Sequence, residues 1–307
     1  MATHPKTLIE AVTYFADPDV CHEYMKGLKW PDGEITCPKC DGGNIGEIKS
    51  RRMFQCKSKG CRKQFSVKVG TIFEDSPLPL QKWFVAVWMI ANAKNGVSSC
   101  ELHQAVGVTQ KTAWHMLHRI RLAMQTKSFK KISGEVESDE TFVGGRKSNM
   151  HKAKRDAKPK GRGTVGKAVV QGIIERGGEV HARVVPNQKR STLHAIIREN
   201  VEPGSTVYTD ALKSYEGLDD EYVHGIIDHA VKYVDGRVHT NTMENFWALL
   251  KRSLMGTYVA VDPKHLDAYL DEQVERFNAR KLDDGGRFQR VIGRVLGRRL
   301  TWADLVD

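Results

Sequence analysis

Long apolar runs are the first thing missing from this 307-residue chain. Its longest stretch without a polar residue, Trp83 to Ala91, has nine residues, far short of the roughly 20 that cross a bilayer as a helix. The opening MATHPKTLIEAVTYF lacks the basic-then-apolar layout of a secretory leader. A membrane-integral or exported protein is therefore not expected, and the expected location is cytoplasmic. Cysteine is scarce, six in all, too few for a disulfide-stapled scaffold. A composition of 40% hydrophobic and 28% charged residues is that of a chain that folds, which excludes wholesale disorder. Acid is absent from one long basic stretch and nearly absent from another, and those two gaps organise the charge.

The chain carries 48 Lys and Arg against 37 Asp and Glu, a net charge of +11. Residues 49–68 hold eight Lys or Arg and no acid, and residues 146–167 hold nine with one Asp. Each block is thus about +8, so the remainder is slightly acidic. One such block alone is commonly a solvated loop. Two point to a phosphate-rich partner, because every phosphate neutralised by Lys or Arg releases condensed counterions.

Four of the cysteines, Cys37, Cys40, Cys56 and Cys61, make a C-x2-C-x15-C-x4-C pattern. Two short-spaced pairs on a hairpin suit one tetrahedral Zn2+, each pair meeting the metal from a tight turn. Two disulfides are the competing use, and they fit poorly with a chain that shows no export signal. Pro38 and Gly60 suit the turns, while Cys21 and Cys100 stand apart. Four thiolates leave no open position on zinc, so the metal is expected to be structural. Arg51, Arg52, Lys57, Lys59, Arg62 and Lys63 lie on this ribbon and are expected to face DNA.

Beyond SPLPL at 76–80, residues 81–95 read as an apolar helix. Ser98-x-x-Glu101 is a capping box that opens a second helix, Gly107 a turn and Thr109 a further N-cap. In the next segment, QKTAWHMLHRIRLAM, Ala113, Leu117, Ile120 and Met124 recur at helical spacing, and Lys111, His115 and Arg119 occupy another face. Helix, glycine turn, basic helix is the layout of a helix-turn-helix whose second helix enters a major groove. An ordinary helical hairpin has the same outline, and the basic ribbon ahead of it favours the DNA-binding reading.

From 132 the pattern becomes a mixed α/β one. Strands are expected at 132–143, 168–175, 180–185 and 206–210, with helices at 191–200 and 239–254. Asp139 sits inside the first strand and Asp210 ends the fourth, while Glu244 lies on the last helix. Acids in apolar strands are costly unless a cation compensates. Converging carboxylates suit Mg2+ or Mn2+, and two such ions support phosphoryl transfer. Lys251, two helical turns after Glu244, shares its face and is placed to hold a phosphate; Asn241 and Ala248 fill the same stripe.

Read together, CPKC…CKSKGCRKQFSVKVGTIFEDSPLPLQKW, ESDETFVGGR, VYTDALKSY and HTNTMENFWALLKR…GTYVAVDPKHLDAYLDEQVERFNAR resemble the bacterial insertion-sequence transposases of the IS1595 (ISXO2-like) group. The likeness runs over nearly the whole chain. It implies an α/β catalytic domain of RNase H-like (retroviral integrase-like) fold behind a zinc ribbon and a helix-turn-helix, divided as 1–75, 76–130 and 131–307, with the basic insertion at 146–167. It also implies a DDE transposase that binds the terminal inverted repeats of its element and cuts and joins DNA. Asp139, Asp210 and Glu244 are then the catalytic acids holding two Mg2+ or Mn2+, with Lys251 completing an E-x6-K spacing. Asn241 is the alternative third residue, and His239 belongs to the same motif. Double-stranded DNA at the element ends and in the target are the implied partners, within a homodimer or larger synaptic complex at the nucleoid. A regulator that has lost catalysis, or a nuclease that cuts without joining, are the rival functions.

Overall fold

The structure, a computed structural model, describes residues 5–126, 131–145, 151–156, 166–227 and 239–306. Much of the basic insertion, 146–150 and 157–165, lies outside the described residues. The chain divides into two compact units, residues 1–124 with 279–307, and residues 125–278. The sequence reading placed the divisions elsewhere, at 75 and 130, and kept 279–307 with the catalytic domain.

The first unit opens with α1 (Leu8–Tyr14) and α2 (Pro18–Lys29). A three-stranded antiparallel ribbon follows, β1 (Ile45–Ile48), β2 (Met53–Cys56) and β3 (Gln64–Phe65). Next come α3 (Leu80–Asn92), α4 (Ser99–Val106) and α5 (Gln110–Met124). The expected capping box is present: Ser98 Oγ accepts from Glu101 N at 3.1 Å and Glu101 Oε2 accepts from Ser98 N at 2.7 Å. Gly107 takes the left-handed conformation that stops α4, with φ 62°, and Thr109 Oγ1 accepts from Thr112 N at 3.1 Å at the entry to α5.

The second unit runs through β4 (Glu135–Val143), α6 (Lys152–Asp156), β5 (Ala168–Glu175), β6 (Val180–Val185), α7 (Arg190–Asn200), β7 (Thr206–Asp210), β8 (Val223–Ile227), α8 (Asn241–Arg252) and α9 (Leu266–Asn278). A π-helical turn, Ser253–Tyr258, extends α8. The chain then returns to the first unit as α10 (Asp284–Ile292) and α11 (Trp302–Val306).

One core joins the ribbon to the helices of the first unit. Phe54 and Phe65 of the ribbon, Trp83 and Phe84 of α3, Leu117 of α5 and Phe288 of α10 are all buried in the same cluster. Phe15, Phe84 and Phe288 meet ring against ring, at centroid distances of 4.7–6.2 Å, within the range of favourable aromatic pairs. The ribbon's strands of four, four and two residues bury too little surface alone, and this shared core supplies the rest.

The second unit is a five-stranded mixed sheet in the order β6-β5-β4-β7-β8. β4, β5 and β6 are antiparallel neighbours, whereas β7 and β8 run parallel to β4. Both faces are covered. Val170 and Ile174 of β5 pack with Met243, Phe246 and Leu250 of α8 and Leu270 of α9 on one side. Ile173 and Val136 pack with Leu193 and Ile197 of α7 on the other. The strict alternation of side chains along a strand therefore decides which residues of β4 meet which helix.

Candidate active site and metal centres

The four ribbon cysteines come together with their sulfurs all within 4.8 Å of one another. Cys37 Sγ lies 3.6 Å from Cys61 Sγ, and Cys40 Sγ 3.7 Å from Cys56 Sγ. A disulfide needs about 2.05 Å, so these are not bridges. Zn–S bonds of about 2.3 Å in a tetrahedron separate sulfurs by roughly 3.8 Å, which the cluster matches. Gly60, at φ +84°, makes the turn of the second pair as expected, and Lys39 N donates to Cys37 Sγ at 3.5 Å. Arg51, Lys57, Lys59, Arg62 and Lys63 are exposed around this centre, and so is Arg52, which pairs with Asp19 at 2.5 Å.

In the second unit, β4 pairs in parallel with β7 through Glu137↔Tyr208. Asp139 and Asp210 each lie two residues past that last pair, so the register sets them side by side where the strands part. Their ligand oxygens, with one from Glu140, all lie within 4.8 Å of one another. Oxygens on one Mg2+ stand at most about 4.2 Å apart, so the side chains need close by less than an ångström to share an ion. Burial, then the charge of Asp210, pushes Asp139 up to about 6, and the charge of Glu244 adds to this. Burial, then Asp210 and Asp139, pushes Glu140 up to about 8. Such a crowd of carboxylates is held apart from full ionisation until a cation or protons compensate. An all-oxygen donor set of this kind fits a hard dication.

Glu244 lies on α8, on an exposed stripe with Asn241, Ala248 and Lys251, and its charge acts on Asp139. Trp247, on the buried side of α8, donates from Nε1 to Asp139 Oδ2 at 2.9 Å. The helix comes this close because Gly172 of β5 lies opposite Asp139 in the ladder. A Cβ there would sit 2.3 Å from Met243 Cε and 2.7 Å from Trp247 Cη2.

Comparison with known proteins finds a family for each of the two regions. Residues 131–278 match the ISXO2-like transposase domain, and residues 17–64 the transposase zinc-ribbon domain. The chain is 30% identical over 256 residues to the uncharacterized protein in transposable element ISH50 of Halobacterium salinarum, covering 79% of this chain and 85% of that one. It is 40% identical over 101 residues to an uncharacterized transposase-like protein of Haemophilus influenzae, covering 33% of this chain and 81% of that one. This chain belongs to the ISXO2-like transposase family. Its domain pair is a zinc ribbon and a DDE transposase domain, and the cysteine cluster fits a structural zinc. Among the described residues no helix is long and apolar enough to cross a membrane.

In this transposase the N-terminus of α8 is held by a residue the sequence did not single out. Glu137, on the same face of β4 as Asp139, is fully buried. Its carboxylate accepts from Thr242 N at 2.9 Å, Met243 N at 3.0 Å and Thr242 Oγ1 at 3.0 Å, so a strand acid caps a helix. Arg176 Nε donates to Glu137 at 2.9 Å, and the guanidinium lies 4.1 Å over the Tyr208 ring. His239, expected near the site without a definite role, belongs to this anchor: its carbonyl accepts from Arg176 Nη2 at 2.8 Å, and its Nδ1 is 3.4 Å from Glu137. The legible signal was an acid two residues before Asp139, which alternation puts on the same face of the strand.

The basic face of α5 needs a correction. Arg119 was expected to meet DNA, but it is buried. Its guanidinium donates to the carbonyls of Leu300 at 2.9 Å, Ile72 at 3.1 Å and Glu74 at 2.8 Å. It ties the C-terminal segment to the helix and is not free for a phosphate. His115 is half-buried with its ring 5.5 Å from that of Trp302, and burial pushes its pKa down. Lys111 is exposed, with its ammonium 4.4 Å over the Trp302 ring.

Proposed function

We propose that this protein binds the terminal inverted repeats of its own insertion sequence and catalyses cleavage and strand transfer there. The carrying observation is the meeting of Asp139 and Asp210 at the parting of two parallel strands, in a chain of this family; the charge of Glu244 on α8, which acts on Asp139, supports it as the third acid. The five-stranded mixed sheet is read as an RNase H-like core. Asp139, Asp210 and Glu244 would hold two Mg2+ or Mn2+, which when bound activate the attacking oxygen and stabilise the leaving one. Asp139 is kept in place by Trp247, and Lys251 on the exposed stripe of α8 suits a DNA phosphate. Hydrolysis at the element end frees a 3′-hydroxyl. That hydroxyl then displaces a 3′-oxygen in target DNA, so one phosphodiester forms as another breaks. No covalent protein–DNA link is required.

For DNA binding we infer that the exposed ribbon cations Arg51, Arg62 and Lys63, with Arg52, supply phosphate contacts, and that the exposed start of α5 around Lys111 is the end of that helix which reaches a groove. Working on two element ends at once calls for a dimer or larger assembly.

The test incubates the protein with labelled DNA carrying the gene's flanking ends, a supercoiled target and Mg2+. Joined product is expected from the wild type and from neither Asp139→Ala nor Asp210→Ala, while both variants keep end binding. Tight binding with no cutting by the wild type would replace this reading with a regulator, and cutting without joining would replace it with a nuclease.

A further inference from the structure

The proposed metal site counts two acids on strands and one on a helix, yet the carboxylate that meets the two aspartates is another one. Alternation along β4 sends Asp139 toward α8 and Glu140 to the opposite face, where Ser138 also points. Neighbours of this kind normally stay apart, separated by the sheet itself. Here the ladder with β7 has already ended at Glu137↔Tyr208, and Glu140 reaches round the open strand end to Asp210. Its ligand oxygen lies within 4.8 Å of those of both aspartates, whereas Glu244 is absent from that cluster.

The side chain is also aimed. Tyr215, wholly buried, lies beside the Glu140 carboxylate and is itself held by Ser138 Oγ at 3.2 Å. Glu140 Oε1 is shut off from solvent and has no hydrogen-bond partner. A buried carboxylate oxygen without a donor is costly, and the two aspartates beside it offer only more oxygen. A cation placed among the three would satisfy all of them at once.

We propose that Glu140 is a ligand of the catalytic divalent cation, reaching it from the face of the sheet opposite Glu244. This rests on the metal-dependent reading above. Asp139, Glu140 and Asp210 then form the standing part of the site, and Glu244 completes it from α8. Glu140→Gln keeps the size of the side chain and its place beside Tyr215 but removes the charge.

The test is Mn2+ binding by the zinc-loaded full-length protein, followed through the electron paramagnetic resonance signal of free Mn2+, without DNA or turnover. Glu140→Gln and Asp139→Asn are each expected to weaken binding at least tenfold. Glu140→Asp, which keeps the charge but draws it back by one methylene, is expected to weaken it severalfold. Wild-type affinity in both Glu140 variants, with binding lost in Asp139→Asn, overturns the role of Glu140 and leaves the metal reading intact. Wild-type affinity in Asp139→Asn as well overturns both. Should Glu140→Gln fail to fold, Glu140→Asp decides alone by the same criterion.

Discussion

Asp139 and Glu140 are ionisable groups whose folded-state pKa values lie above their usual ones, up to about 6 and about 8. Between the unfolded and folded values the native state binds more protons than the unfolded chain, so stability falls as pH rises. Their contribution is complete below about pH 4 and is lost as pH climbs toward 8. For Asp139 alone it amounts to roughly 3 kcal/mol. Urea unfolding without added Mg2+ is therefore expected to give a lower midpoint at pH 8 than at pH 5, with a shallower pH slope in Glu140→Gln. Identical slopes in the two proteins would mean that ionisation of Glu140 carries no such cost. Arg119 marks the limit of reading residues one at a time. Helical periodicity puts it on the polar side of α5 with Lys111 and His115, and nothing local says otherwise. The carbonyl of Leu300 that claims it lies 181 residues further on.

At the scale of elements, the site depends on how closely α8 lies on the sheet. Gly172→Ala would place a methyl group where Met243 and Trp247 now are. It is expected to cost about 1–3 kcal/mol through overpacking and to pull Trp247 from Asp139. Loss of strand transfer with end binding retained is the expected result, and full activity with unchanged thermal stability would refute the close-contact argument. Elements with a strong local signature were legible in advance. The strand Thr206–Asp210 follows from its β-rich TVYTD run, and the capping box from Ser98 and Glu101. Asp139 and Asp210 stood out as acids within and at the end of predicted strands, in segments that carry the family resemblance. Glu140 did not, since alternation assigns it to the other face of the sheet, and only the early end of the β4–β7 ladder brings it back. Glu137 and Arg176 were hidden for a similar reason: Thr242 and Met243, which donate to Glu137, lie 105 and 106 residues away in sequence, and His239, whose carbonyl accepts from Arg176, lies 63 away.

At the scale of the whole molecule, the first unit is made from both ends of the chain. Phe288, Val291, Ile292 and Val295 lie fully buried in its core, and a backbone bridge joins Thr71 to Leu296. Burying four such side chains is worth roughly 6–12 kcal/mol at about 1.5–3 kcal/mol each, comparable to the entire stability of an ordinary domain. A fragment of residues 1–124 is accordingly expected to lack a cooperative thermal transition and to regain it when a 279–307 peptide is added. A sharp, peptide-independent melt of 1–124 would disprove this.

The order of synthesis gives this closure a further meaning. A ribosome releases residues 279–306 only after the catalytic unit has been completed, so the unit that we infer grips DNA matures last. On that reading, messages cut short by a frameshift or stop codon before 279 are expected to yield no stable binder of element ends. A mobile element whose broken copies cannot make such a product is spared inhibition by its own debris.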